Sequence, residues 1–505
     1  MFSFPNFLLV ALLAVVIFNG FELHLDCNSD TPFSLRIKLA SNNVTDECDE
    51  IEAKADKSDD RRIAIVNGHG KNASYTYLAH VRETFENLGY KVITGAPNPS
   101  HKWDVLWYHD YAFSYEPYAT MIKSGEKTKT VNHVPGSGFY TSKVQLATCG
   151  LESGVPEAYK LPSEKEDFLK TSTQHPEYFW VQKSNAHRNI KIKKVEEMDF
   201  ENGESFIQRF VDNPLLIDNR KFDIGIYTVV TSLLPLKVYI YTADVLLRFC
   251  AEDYEPFDPE RVDKYVVGDD YTPIWEIPSL MKKFNQHKMT FKHTLDSYLG
   301  RRNLDSNQIW AQIGNIIAEV FRKQQANMLT SLKTANLKTK YFELSRFDFV
   351  VDEELKVFLM EANMSPNLSS GHFKQNKILY EKVLRSVFSL VGIASPLTKS
   401  AENEFESRLG DENPIVDDRE LHLPLKVCDQ ACDKSCEASE ECQLCGHCMS
   451  AHFRSVLKET YREHLDRRGM QRLNFDYSKL GPLTKEDRLL SIWTHAKCQT
   501  DSSWC

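Results

Sequence analysis

The sequence predicts a mixed α/β (α+β) chain of several domains, on three observations. Its 505 residues exceed one ordinary domain. From Arg61 onward, short apolar runs alternate with a helically spaced segment, the pattern of an α/β lobe. From Phe179 to Val391, β-rich runs are followed by one long apolar helix stripe.

Taken in order, Ile63-Ala-Ile-Val66 reads as a strand. Tyr77, Leu78, Val81, Phe85 and Leu88 recur at helical spacing, with Gly89 as the end cap. Lys91-Val-Ile93 and Asp104-Val-Leu-Trp107 read as further strands, completing a small lobe over 60–150. Ile226–Val230 and Lys237–Tyr241 are β-rich, and Ile309, Ile313, Ile316, Ile317, Val320 and Phe321 form one helix stripe that belongs in a core. These lie in a second domain over 151–395. Residues 396–505 form a cysteine-rich extension, acidic over Glu402–Glu420 and charged and helical over Leu457–Leu473.

At the other end, Phe7–Phe18 is twelve uninterrupted apolar residues, within a looser apolar stretch over 1–21. The run suits a signal-peptide core or a short anchor; without a small-x-small cleavage site, the uncleaved anchor is favoured. Residues 22–59 are polar and acidic and read as a stalk. Twelve cysteines, six of them within Cys428–Cys448, imply disulfides in an exported chain or metal in a cytosolic one. The Cys-x₂-Cys steps, with His447 and His452, could hold Zn²⁺; with the leader and the sequons at Asn43, Asn72, Asn363 and Asn367, a disulfide knot is favoured. The expected location is a membrane-associated chain facing the secretory lumen or the outside, with a cytoplasmic, microtubule-associated protein as the alternative.

Lys plus Arg total 61 against 71 Asp plus Glu, a formal net charge of −10, which excludes a general nucleic-acid binder. The basic run His187, Arg188, Lys191, Lys193 and Lys194 reads as a solvated loop, or as a local patch for an acidic partner.

The segment Phe347–Asn363 carries the chemistry. It reads as a hairpin turning at Glu353-Glu354, with Asp352 paired to Leu355 and Asp348 opposite Leu359. Asp348, Glu361 and Asn363 then share a face, Glu361 diagonal to Asp348. Two carboxylates and an amide oxygen suit a hard cation such as Mg²⁺, while the bland alternative is a polar, solvated face.

Phe347-Asp348 and Met360-Glu-Ala-Asn-Met-Ser-Pro366 resemble the metal signature of the tubulin–tyrosine-ligase-like family of ATP-grasp amino-acid ligases. Gln208–Asp223 is similar to that family's Gln-x-Tyr-Ile-x-Asn-Pro-Leu-Leu-x-x-x-Arg-Lys-Phe-Asp. Trp103–Trp107, Val131–Gly136 and Pro235–Tyr239 match in the same order. The resemblance implies an ATP-grasp core and an ATP- and Mg²⁺-dependent ligation. Through an acyl phosphate, an amino acid (glutamate favoured) joins a protein carboxylate, with tubulin or microtubules and free glutamate as partners. It assigns Asp348, Glu361 and Asn363 to the metal, and Lys183 to the ATP phosphates together with Arg188. Gln208, Arg209, Phe210 and Val211 would border adenine. Lys221, Phe222 and Asp223 fall on the nucleotide side. Arg248 would grip the incoming amino acid's carboxylate, and Lys292 is a further substrate lysine.

The chain departs from the family pattern at three places. Arg188-Asn-Ile-Lys-Ile192 lacks the glycines of a phosphate loop. Gly225 stands where the pattern has an arginine toward the transferring phosphate, and no nearby residue in the sequence takes its place; one such donor is worth roughly 10²–10³ in rate. Asp263-Lys-Tyr265 replaces Thr-Asn-Tyr. A catalytically inactive pseudo-ligase serving as a scaffold in the secretory pathway is therefore the alternative function.

Overall fold

The computed structural model describes residues 21–22, 38–39, 61–68, 75–95, 97–98, 101–185, 191–395, 416–423, 425–475 and 484–505. Residues 1–59 form a unit of their own, in which β1 (Phe21–Glu22) pairs antiparallel with β2 (Lys38–Leu39). The apolar run over residues 7–18, Cys27, Cys48 and the sequons at Asn43 and Asn72 lie outside the described residues. Among the described residues, no helix is long and apolar enough to cross a membrane.

Residues 60–505 form the second unit. It opens with an all-parallel sheet of β3 (Ile63–Asn67), β4 (Lys91–Thr94), β5 (Val105–Tyr108) and β6 (Thr130–Val131). A later strand, β15 (Lys340–Tyr341), completes it beside β6. Parallel strands need covered faces, and the helix Ala79–Asn87 covers one by burying Val81 and Phe85. That helix ends where Gly89 takes φ +82°, a conformation with little cost only for glycine.

Two antiparallel sheets follow. The smaller has the order β7 (Ala158–Lys160), β10 (Ser205–Arg209), β8 (Trp180–Ser184), β9 (Ile192–Lys193). The larger is built on β11 (Phe222–Leu233), whose Ile224, Ile226, Val229 and Val230 are buried. On one side of β11 lie β12 (Leu236–Tyr241) and β13 (Leu246–Phe249), the latter continued by β14 (Thr272–Pro273). On the other side β16 (Glu343–Val351) pairs with β11, and β17 (Val357–Met364) pairs with β16. The helix Ser306–Ala335 buries the predicted stripe, Ile309 to Phe321, in the main core. Its ends have clear stop signals: Asp305 caps the start by accepting from the Asn307 N–H, and Asn336 takes a left-handed conformation at the end.

The C-terminal residues pack onto this core. β18 (Met470–Arg472) adds to the exposed edge of β12. Glu463 is buried, holding the Lys237 ammonium at 2.9 Å and accepting the Tyr239 hydroxyl at 2.8 Å. Asp487 accepts from the Leu236 N–H at 2.7 Å and from Gln325 at 2.9 Å. The clustered cysteines pair as Cys428–Cys445, Cys432–Cys442 and Cys436–Cys448, and Cys498 pairs with Cys505. Their sulfurs are thus in disulfides rather than in a zinc site.

Candidate functional site

The hairpin β16–β17 brings the three predicted metal residues together, by a register that differs from the expected one. The chain turns one residue later, with Val351 opposite Val357 and Leu355 at φ +62°. Register then shifts between Asp348 and Phe349, so Asp348 stands directly opposite Glu361 rather than opposite Leu359. Met360 is the extra residue of this bulge. The Asn363 amide donates to Asp348 at 3.2 Å and to Glu361 at 3.1 Å. Turning that amide about its Cβ–Cγ bond exchanges Nδ2 for Oδ1 and gives an all-oxygen set, the donor chemistry of a hard divalent cation. The residues fit Mg²⁺.

Cations surround the carboxylates. Lys143, on the short helix capped by Ser142, lies 3.3 Å from Glu361. Lys183, on β8, donates to Gln208 Oε1 at 2.8 Å. Lys221 is buried, with its ammonium 4.5 Å above the Phe210 ring. Arg248 is directly opposite Asp223 across β11 and β13; its Nε and Nη2 donate to that carboxylate at 3.0 and 2.7 Å, and Nη2 also reaches Asp348 at 3.0 Å. Arg346 clamps Asp348 with two bonds of 2.6 and 2.8 Å. Lys143, Arg248 and Arg346 touch the carboxylates Asp223, Asp348 and Glu361, while Lys183 feels Glu361 and Lys221 feels Asp223 through space, so five positive charges stand against three negative ones, a surplus of two.

The electrostatics follow from burial and this pairing. Burial pushes both Lys183 and Lys221 down to about 8. Burial also pushes Asp223 up to about 6, with Arg248 pulling the other way. For Glu361 burial is the largest single influence and favours the neutral acid, but Lys143, the Asn363 bond and the two arginines together outweigh it and hold the carboxyl down at about 2.

Other predicted residues fall elsewhere. Arg248 was expected to present an open fork to an amino acid; cross-strand pairing instead commits it to Asp223 and Asp348. Phe222, between Lys221 and Asp223 on an alternating strand, faces the core against Phe249. Arg209 points away from Gln208 and stacks 3.6 Å over Tyr178. Val211 is buried beside Phe210, which packs in a cluster with Val181, Tyr254 and Tyr265. Lys292 pairs with Asp296 at 2.8 Å over the Trp310 ring, with no bond to the carboxylate group among the described residues. Arg188 lies outside the described residues. Sequence reasoning missed Lys143, which carries no charge pattern around it. It also missed Arg346, one of three charges on β16 with Glu343 and Asp348, which no local pattern singles out.

Two antiparallel sheets flanking a carboxylate hairpin, with lysines from both sheets turned toward it, define an ATP-grasp-type ligase fold. The Tubulin-tyrosine ligase family model matches residues 122–403. The chain is 55% identical over 493 residues to the Probable tubulin polyglutamylase ttll-15 of Caenorhabditis elegans, covering 96% of each protein. It is 27% identical over 295 residues to the Tubulin monoglutamylase TTLL4 of Homo sapiens, covering 54% of this chain and 24% of that protein. With the Tubulin polyglutamylase TTLL6 of Mus musculus it shares 26% identity over 380 residues, 69% of this chain and 44% of that one. This chain belongs to the tubulin-tyrosine ligase family.

Proposed function

We propose that this protein is an ATP- and Mg²⁺-dependent ligase that joins glutamate to a carboxylate of tubulin. The observation that supports it most is the surplus of two positive charges around an oxygen-rich hairpin. A magnesium triphosphate carries about two net negative charges and would neutralise that surplus. The names of the related polyglutamylases and monoglutamylase point to the same reaction.

Asp348, Glu361 and Asn363 would hold the metal, which when bound neutralises phosphate oxygens. Lys183 and Lys221 supply point charges for phosphate from opposite sheets. The acceptor carboxylate takes the γ-phosphoryl group as the bond to ADP breaks and ADP leaves, giving an acyl phosphate; the neutral glutamate amine attacks its carbonyl, loses a proton, and inorganic phosphate leaves. The chain's contribution is positioning and charge neutralisation. An inactive scaffold is the less favoured reading, because a scaffold gains nothing from five cations gathered around two buried carboxylates and a half-exposed third. Incubation with Mg·ATP, labelled glutamate and tubulin tests this. Glutamyl adducts seen by mass spectrometry, and lost in Asp348→Asn, are expected; no adduct and no ATP consumption overturns the reading.

The interleaved disulfides favour a second reading, about place. We propose that residues 60–505 mature in an oxidising compartment behind the apolar leader. There the acceptor would be another acidic chain rather than cytosolic tubulin. Protease protection of the sealed membrane fraction decides it: digestion at Lys183 without detergent excludes the lumen.

A further inference from the structure

Position 225 lies on β11 directly opposite Asp348 on β16. It is a glycine, and the space above it is filled by a neighbour. A Cβ at this position would stand 3.0 Å from Arg346 Cδ, 3.3 Å from Arg346 Nε and 3.2 Å from Asp348 Oδ1. A side chain at 225 and the Arg346 side chain as placed are therefore in tight contact, and one must give way by a few tenths of an ångström. The glycine is not here for a left-handed turn, since it sits inside a twelve-residue strand. Its role is room.

Arg346 makes use of that room. It lies opposite Tyr227 on one side and Asn363 on the other, so it shares the face of Asp348, Glu361 and Asn363. It is only 7% exposed. An arginine buried in a sheet is costly unless its charge is matched. Here Nε and Nη2 hold the two oxygens of Asp348 at 2.6 and 2.8 Å. This uses one edge of the guanidinium and leaves Nη1 without a protein acceptor among the described residues. Asp348 Oδ2 already accepts from Arg346, Arg248 and Asn363, but Oδ1 accepts only from Arg346 Nε, so its second lone pair can take a cation beside the clamp. A guanidinium stays charged at any working pH and offers fixed donors, which lysine cannot imitate.

We propose that Arg346 supplies the guanidinium of the phosphate-transfer site, entering from β16 over the side-chain-less Gly225 instead of from β11. Resting on the ligase reading, this answers the question raised by Gly225: the charge has moved to the neighbouring strand. The bidentate clamp fixes the Asp348 rotamer, and Nη1 donates to an oxygen of the metal-bound phosphoryl group.

The test is a strand swap in the full-length protein. Arg346→Gly should lower kcat by roughly 10²–10³ and weaken binding of Mg²⁺ with a non-hydrolysable ATP analogue, read by calorimetry, by about tenfold. Gly225→Arg alone should also fail, because its side chain meets Arg346. The double variant Gly225→Arg/Arg346→Gly returns the guanidinium from β11; it should exceed both single variants by at least tenfold and regain the nucleotide affinity. Thermal unfolding of each variant reads the fold, and Arg346→Lys, which keeps the charge but loses the fork, should be intermediate in kcat. Wild-type turnover with Arg346→Gly within threefold of it, or with a double variant no better than the singles, overturns the assignment of Arg346 and leaves the ligase reading standing. A wild-type protein that neither binds the analogue nor transfers glutamate overturns both.

Discussion

Replacing Glu343 with Gln should remove a pH dependence of folding that can be worked out from four hydrogen-bonding groups. Glu343 and His133 are fully buried, and they join β16 to the loop after β6. His133 Nδ1 faces Glu343 Oε1 at 2.9 Å, and Nε2 faces the Tyr108 carbonyl oxygen at 2.7 Å. Both partners are acceptors, so both ring nitrogens donate and the ring is an imidazolium. The other Glu343 oxygen accepts the Val134 N–H at 3.0 Å. Burial alone would lower the His133 pKa; the Glu343 carboxylate, with the Tyr108 bond, outweighs it and raises the value. A raised folded value means stability fully present below the unfolded value near 6.5, and lost as pH rises through the folded one. The slope in that window is about 1.4 kcal/mol per pH unit for one proton. The amide introduced by Glu343→Gln would accept from Val134 and donate to a neutral Nδ1, so every bond survives without the charge. Urea unfolding of wild type and Glu343→Gln from pH 6 to 9 gives the difference directly. It should shrink with rising pH, cancelling contributions common to both proteins. Glu343→Ala, which strands a buried imidazolium, should cost about 3–5 kcal/mol at pH 6. A pH-independent difference between wild type and Glu343→Gln refutes the imidazolium assignment.

Three further outcomes are expected. Lys183 and Lys221 both lie near 8, so their ammoniums are charged at pH 7 and largely neutral at pH 9; calorimetry should show Mg·ATP affinity falling across that interval, and a flat profile would exclude their phosphate role. Glu463→Ala strands the buried Lys237 ammonium and should cost about 3–5 kcal/mol in chemical denaturation, while a loss within 0.5 kcal/mol would mean that the C-terminal residues do not brace the sheet. Mass spectrometry of unreduced protein should find no free thiol among Cys428, Cys432, Cys436, Cys442, Cys445, Cys448, Cys498 and Cys505; metal release with six reactive thiols would restore the zinc alternative.

What could be read in the sequence was what local periodicity determines. The strands at 63–67, 91–94 and 105–108 and the helix at 79–87 fall within a residue or two of the expected positions, because alternation, helical spacing and Gly89 act over short range. The long stripe from Ile309 became core because nothing else could bury it. β18 was invisible: Met-Gln-Arg has no strand signature, and its pairing comes from the free edge of β12. The pairing of Arg248 was hidden for a related reason, since its partner Asp223 is 25 residues away and only the β11–β13 register places them opposite. Lys143 reaches Glu361 from a short helix remote in sequence, a contact that composition cannot show.

The carboxylate hairpin shows how a correct face can come from an incorrect register. The expected pairing joined residues whose numbers sum to an odd value, which puts Asp348 and Glu361 on one face. The observed turn pairs Val351 with Val357, and a regular ladder from there would set Glu361 opposite Phe347, on the core face. The bulge at Met360 inserts one residue and turns Glu361 and Asn363 back toward Asp348, leaving Ala362 opposite Phe347 in the core. Burial along β17 records the change: Val357 and Leu359 are buried, Met360 and Glu361 are both half-exposed, and Ala362 is buried again. The carboxylate site therefore depends on a deliberate fault in the sheet, placed at the one step where Glu361 would otherwise have been turned into the core.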